Sequence, residues 1–279
     1  MPFSDELAEA DLTVGALLRA STLPAIEARA LLAHQLGVSR EQLVARPELL
    51  VAPDDAQQFA QWVERRQRGE PLAYLLGEKE FYGRMFAVSA AVLIPRPETE
   101  LLVEAALALG LRDDAHVLDL GTGSGCIGIT LALERPRWQI VATDQCSHAL
   151  VVARQNKEKL RANNVEFRAG NWFAAAPERF DLIVSNPPYV AAGDAHLDAL
   201  RYEPLPALVS EANGLGCLYT IIEDAASHLV AGGFLALEHG HDQATAIRDR
   251  LVTAGWLEVQ TLQDMASIDR VTMARSGVV

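Results

Sequence analysis

The chain has 279 residues, half of them hydrophobic, enough for one sizeable core and a smaller companion domain. Its 24 Lys and Arg against 37 Asp and Glu give a formal charge of -13, which disfavours blanket attraction to nucleic-acid phosphates, since that binding depends on basic side chains displacing counterions. Cys126, Cys146 and Cys217 form no CxxC pair, which argues against a zinc site or a disulfide framework and suits a reducing cytosol.

The opening Met1-Pro2-Phe3-Ser4-Asp5-Glu6 is acidic where a signal peptide would be basic and then apolar. No apolar run reaches the ~18 residues needed to span a bilayer. A cytoplasmic protein without membrane contact is expected. From about Asp5 to Gly69 the pattern reads as helices. Leu12, Gly15, Ala16 and Leu17 begin one apolar face, and Ala28, Leu31, Leu32, Gln35 and Leu36 mark another before Gly37. Asp54 is the expected N-cap of a third helix carrying Phe59, Trp62 and Val63. Arg65, Arg66 and Arg68 form the one notable basic cluster, read as a solvated helix end that complements the helix dipole.

The pattern changes at Gly77. Residues 80–88 read as two short strands around a turn at Gly83. Pro95 and Pro97 forbid a helix before about Pro97, and Glu98, Thr99 and Glu100 then open an apolar helix to Leu109; these three read as helix-start residues, a place near the substrate pocket being the alternative. The expected organisation is a helical domain over 1–76, a hairpin linker over 77–96 and an α/β domain over 97–279. Beyond Asp113, strands at 116–120, 139–143, 165–168, 182–185, 234–238, 257–262 and 270–274 alternate with helices such as 149–160, 217–229 and 243–254. That alternation predicts a mainly parallel sheet covered on both faces, with ligands at the carboxyl ends of its strands.

Function is therefore sought just after each strand. Behind the first stands Asp119-Leu120-Gly121-Thr122-Gly123-Ser124-Gly125-Cys126-Ile127-Gly128, whose glycines let a ligand lie against the backbone at a helix N-terminus. Gly123, Gly125 and Gly128 satisfy the dinucleotide fingerprint, while Asp119, Gly121, Gly123 and Gly125 give the pattern of enzymes that use S-adenosylmethionine. Asp144, at the end of the second strand, suits the ribose hydroxyls of either cofactor. Asn171-Trp172 follows the third strand and offers an amide and an aromatic face to an adenine, or a Trp that closes the core edge. Cys126 reads as a packing residue. His239, in Glu238-His239-Gly240, reads as a structural hydrogen-bonding group, and His228 and His241 as surface residues.

After the fourth strand comes Asn186-Pro187-Pro188-Tyr189. Its prolines stiffen the backbone and donate no N–H. The Asn186 side-chain oxygen and the Pro187 carbonyl can each accept one hydrogen of an amide or exocyclic amino group, orienting its nitrogen for in-line attack on a sulfonium methyl. Tyr189 would pack against the planar group and exclude water. This loop decides the cofactor in favour of S-adenosylmethionine.

The glycine pattern and the Asn-Pro-Pro-Tyr tetrapeptide together resemble amino-group methyltransferases acting on adenine, guanine or glutamine. With Gly69-Glu70-Pro71-Leu72-Ala73-Tyr74, Phe81-Tyr82-Gly83, residues 93–100, Arg201-Tyr202-Glu203-Pro204 and Leu237-Glu238-His239-Gly240, the whole chain is similar to bacterial release-factor glutamine methyltransferases. The resemblance implies a seven-stranded Rossmann-like class I methyltransferase domain with a small N-terminal helical domain joined by a β-hairpin. It implies methyl transfer to the glutamine of the Gly-Gly-Gln motif in class I peptide chain release factors, with the helical domain helping to recognise them. Gly121, Thr122, Gly123, Ser124, Gly125, Asp144, Asn171, Trp172 and Asn186 would contact S-adenosylmethionine. Asn186, Pro187, Pro188 and Tyr189 would hold the glutamine, with Asn186, Pro187 and Tyr189 catalytic. Asn171 departs from the family's usual Asp. A nucleic-acid amino-methyltransferase is the alternative reading, which the acidic balance disfavours.

Overall fold

The structure, a computed structural model, describes residues 12–277, so the helical reading from Asp5 to Asp11 falls outside the described residues. Two compact units meet in the chain between Gly77 and Glu78. The first contains α1 (Val14–Ala20), α2 (Ala25–Leu36), α3 (Arg40–Ala45), α4 (Pro53–Gln67) and α5 (Leu72–Leu76). Leu17, Leu31, Leu32, Leu43, Phe59 and Val63 form its core. Gly37 ends α2 in the left-handed conformation, where a side chain would be strained. The expected N-cap at Asp54 is displaced: Pro53 occupies the first helical position, where its missing N–H costs nothing, and Ala52 precedes it. Helix α3 went unanticipated because it has six residues, although Ser39 and Gln42 cap it reciprocally. The arginine cluster is largely neutralised, Arg65 pairing with Glu70 and Arg66 with Glu27 in two-pronged contacts.

The second unit begins with the hairpin of β1 (Glu78–Phe81) and β2 (Arg84–Ala87). Tyr82 and Gly83 both have positive φ, the turn whose twist matches paired antiparallel strands. A 3-10 turn at Pro97–Thr99 leads into α6 (Glu100–Ala108). The sheet comprises β3 (His116–Leu120), β4 (Gln139–Asp144), β5 (Val165–Ala169), β6 (Phe180–Ser185), β9 (Leu229–Glu238), β10 (Leu257–Gln263) and β11 (Asp269–Arg275). A short parallel pair, β7 (Val190–Ala191) with β8 (Val209–Ser210), lies between β6 and β9 in sequence. The order across the sheet is β10-β11-β9-β6-β3-β4-β5. All neighbours are parallel except β11, which runs antiparallel to both β9 and β10.

Alternate residues of the central strands enter different cores. Val117, Leu182, Val184 and Ala236 face one side with Leu102, Val103 and Ile129. Leu118, Ile183, Leu235 and Leu237 face the other with Leu218, Ile221, Ile222 and Ile247. The first side is covered by α6, α7 (Cys126–Glu134) and the hairpin's Phe81 and Phe86; the second by α9 (Gly216–Ala225) and α10 (Ala244–Thr253). This two-faced burial is why the strands read as near-continuous apolar runs. One expected helix, 217–229, stops early. Ala226–His228 tighten into a 3-10 turn and Leu229 already pairs with Phe180 in the sheet.

Candidate active site

Strand order reverses at β3, which has β4 on one side and β6 on the other, so the loops leaving β3 and β6 diverge and open a crevice. The two strands are locked at that end, Ser185 Oγ donating to the Leu120 carbonyl at 2.8 Å. The crevice is a cavity of about 530 Å³, within the range of small-molecule sites. Gly121, Thr122, Gly123, Ser124, Asp144, Asn171, Trp172, Asn186 and Pro188 all line it. Gly125, Pro187 and Tyr189 do not.

The glycine loop is held from beneath. Asp119, fully buried, accepts the Thr122 hydroxyl at 2.6 Å and the Gly128 N–H at 3.0 Å. Burial, against those two hydrogen bonds, pushes its carboxyl up to about 6. Gly121 and Gly123 both have positive φ, which a side chain would strain. At Gly123 a Cβ would meet nothing within 4 Å, whereas at Gly125 it would fall 2.9 Å from Ile129 and 3.2 Å from Phe167. Gly125, also of positive φ, is thus held to glycine by helix packing as well, while Gly121 and Gly123 line the cavity. Asn156 of α8 (Ser147–Leu160), wholly buried, joins the hairpin to this loop: its amide donates to the Ala87 and Ser124 carbonyls, and its oxygen accepts the Ala87 N–H.

Asp144 closes the next side. One oxygen accepts the Gly123 N–H at 2.9 Å and the other the Cys146 N–H at 2.8 Å, while burial raises its proton affinity. Trp172 has φ of 44°, rare for an aromatic residue, and its ring lies 3.6 Å from where a Gly121 Cβ would be. Trp172 also packs against the core on that side of the sheet. Asn171 is exposed at the cavity's edge. Cys126 is buried and its thiol is pushed up to about 12 by that burial, so it packs and does not attack.

Across the cavity, Asn186 Nδ2 donates to Thr99 Oγ1 at 3.1 Å, and the Tyr189 hydroxyl donates to Glu238 Oε1 at 3.2 Å. Glu238 is buried, which lifts its carboxyl to about 7 despite the lowering influence of the Thr99 and Tyr189 hydroxyls and of Arg270. Burial likewise raises the Tyr189 phenol. A second clamp stands nearby: Glu203 accepts the Ile94 N–H and pairs with Arg96, tying the segment before α6 to the segment after β7 where both line the cavity. Sequence reasoning attached no role to Asn156, Glu203 or Glu238, whose partners are distant in the chain. His239 is structural as expected, bridging Thr272 and the Gly240 carbonyl. His241 is exposed, but His228 stacks on Phe173 at 4.4 Å and is only half-exposed. A shallower groove of about 720 Å³ along β4 and β5 has its cations engaged, Lys157 and Arg154 on backbone carbonyls and Arg168 on Glu166 and Glu178.

Residues 97–203 match the Methyltransferase small domain and residues 13–77 the PrmC N-terminal domain. The release factor glutamine methyltransferase of Xylella fastidiosa (strain Temecula1) is 47% identical over 93% of this chain and 97% of its own. That of Neisseria gonorrhoeae is 46% identical over 95% and 98%. The chain belongs to the release factor glutamine methyltransferase family. Among solved structures, a methyltransferase from Pyrococcus furiosus is 19% identical with a TM-score of 0.54, covering 78% of this chain and all of its own. The delta-N METTL16 methyltransferase domain is 18% identical with a TM-score of 0.55, covering 76% and 97%. These likenesses establish the fold alone.

The methyl donor is S-adenosyl-L-methionine. The cavity fits it: side-chain-free backbone at Gly121 and Gly123, a half-buried carboxylate at Asp144 for a ribose diol, and the Trp172 ring beside that backbone. When bound, it supplies a methyl group on an electrophilic sulfonium. Among the described residues no helix is long and apolar enough to cross a membrane, and no cluster of His, Cys, Asp and Glu could hold a metal.

Proposed function

We propose that the chain methylates the side-chain amide nitrogen of the glutamine in the Gly-Gly-Gln motif of class I peptide chain release factors. One observation carries this: Asn186-Pro187-Pro188-Tyr189 leaves β6 beside the glycine loop, with Asn186 on the cavity wall. An amide nitrogen is a poor nucleophile because its lone pair is delocalised, so the site must work by placing it. Asn186 Oδ1 and the Pro187 carbonyl accept its two hydrogens, setting the nitrogen toward the methyl and stabilising the charge that grows there. Tyr189, its hydroxyl tied to Glu238, backs the planar amide and keeps water out. The bound donor would supply the methyl group and keep the electron pair of the broken S–C bond, and the proton displaced from the nitrogen would pass to bulk water, because Asn186 Oδ1 and the Pro187 carbonyl accept hydrogen bonds but are not bases. No nucleophilic side chain takes part.

Asp144 and Trp172 are assigned to the adenosine end and Asn171 to the rim of the adenine site. The helical unit, which carries none of these residues, is assigned a second contact with the release factor; exposed Ile26 and Val44 on it suit such a contact. Nucleic acid is not a direct partner in this reading. Incubation with labelled methyl donor should mark an intact release factor, leave unmarked one whose Gly-Gly-Gln glutamine is changed to Ala, and leave bulk nucleic acid unmarked. Equal labelling of the Ala release factor would refute the target.

A further inference from the structure

An asparagine side chain presents two different faces, and the grip proposed above needs its oxygen, not its NH₂, turned to the substrate. Rotating the amide by half a turn would put a donor where an acceptor is required and repel the target's own N–H. Nothing in the Asn-Pro-Pro-Tyr tetrapeptide selects between the two orientations. The selection lies 87 residues upstream, in a threonine on the 3-10 turn before α6. Thr99 is 2% exposed, lines the same cavity wall as Asn186, and accepts Asn186 Nδ2 at 3.1 Å.

A hydroxyl can donate as well as accept. Here the bond runs one way: the Asn186 NH₂ donates to the Thr99 oxygen, and Oδ1 faces away from it. Thr99 is buried on its 3-10 turn, so this partner stays with Asn186 instead of being exchanged for water.

We propose that Thr99 is a positioning residue, which holds the Asn186 amide in the orientation that offers its oxygen to the target nitrogen. At the other end of the tetrapeptide the Tyr189 hydroxyl is held by the buried Glu238. This assignment rests on the role given to Asn186 above.

The test compares Thr99→Val, which keeps shape and removes the hydroxyl, with Thr99→Ser, which keeps the hydroxyl. Thr99→Val should lower kcat on intact release factor at least 10-fold, with the affinity for S-adenosylmethionine measured by calorimetry changed less than 3-fold. Thr99→Ser should restore most of the rate. In ¹⁵N-labelled protein, the Asn186 side-chain NH₂ resonances, assigned by their disappearance in Asn186→Ala, should shift and lose protection from exchange in Thr99→Val and recover in Thr99→Ser. In an Asn186→Ala background, Thr99→Val should cost no further activity, because its effect passes through Asn186. If Asn186→Ala is crippled while Thr99→Val has the parent rate and unshifted Asn186 resonances, Thr99 is not the positioning residue and the reading of Asn186 survives. If Asn186→Ala itself is fully active, both fall.

Discussion

Glu238→Gln isolates what the buried acid costs the fold. Burial raises its pKa from an ordinary 4.5 to about 7, against the lowering influence of Thr99, Tyr189 and Arg270, while Glu98 adds to the rise and Cys126 also lies within its field. At about 1.36 kcal/mol per pKa unit, a rise of about 2.5 corresponds to about 3 kcal/mol. The sign follows from proton binding. The folded state holds this proton more tightly than the unfolded chain, so the stabilisation is complete below about pH 4.5, falls as the pH rises, and is gone above about pH 7. Gln carries no titrating proton and keeps an oxygen for the Tyr189 hydroxyl. The stability of Glu238→Gln relative to the parent should therefore rise by about 2–3 kcal/mol between pH 5 and pH 8, as read from urea or guanidinium unfolding at matched ionic strength. Asp119, buried and raised to about 6, titrates over an overlapping range, but it is present in both proteins and cancels in the difference. Parallel stability curves across that pH range would refute the buried acid as described.

Asp144→Ala removes the acceptor proposed for the ribose and frees the Gly123 and Cys146 N–H groups; binding of S-adenosylmethionine should weaken by about 1–3 kcal/mol by calorimetry, and an unchanged affinity would rule out the contact. Asn171→Asp should leave turnover intact and hold or tighten cofactor affinity, since a carboxylate is the stronger acceptor at the cavity edge; a clear loss of affinity would show that Asn171 does not accept from the adenine. Asn186→Ala should lower turnover about 100-fold or more with cofactor binding retained, the scale of losing a positioned polar group, and steady-state kinetics beside calorimetry would separate the two.

All seven sheet strands, the hairpin at Gly83 and the crevice loops were legible in the chain itself. Each depends on neighbours within a few residues: a strand's apolar run, the positive φ that only glycine tolerates freely, the stiffness of paired prolines. Boundaries were less legible where local rules competed. Pro53 took the helix start from Asp54, and Leu229 joined the sheet although its apolar surroundings continued the pattern of α9. The family resemblance, carried by several separated motifs, supplied the substrate class that periodicity could not. What only the tertiary structure decided is how the motif residues are held. Asn156 reaches Ala87 across 69 residues, Asn186 reaches Thr99 across 87, and Glu203 reaches Ile94 across 109. A buried polar side chain is selected by the partner that satisfies it, and no local pattern encodes that partner when the chain must fold to bring it near. The sequence alone thus determined which chemistry the crevice can perform. The packing of the 3-10 turn before α6 decided which partner the Asn186 amide meets.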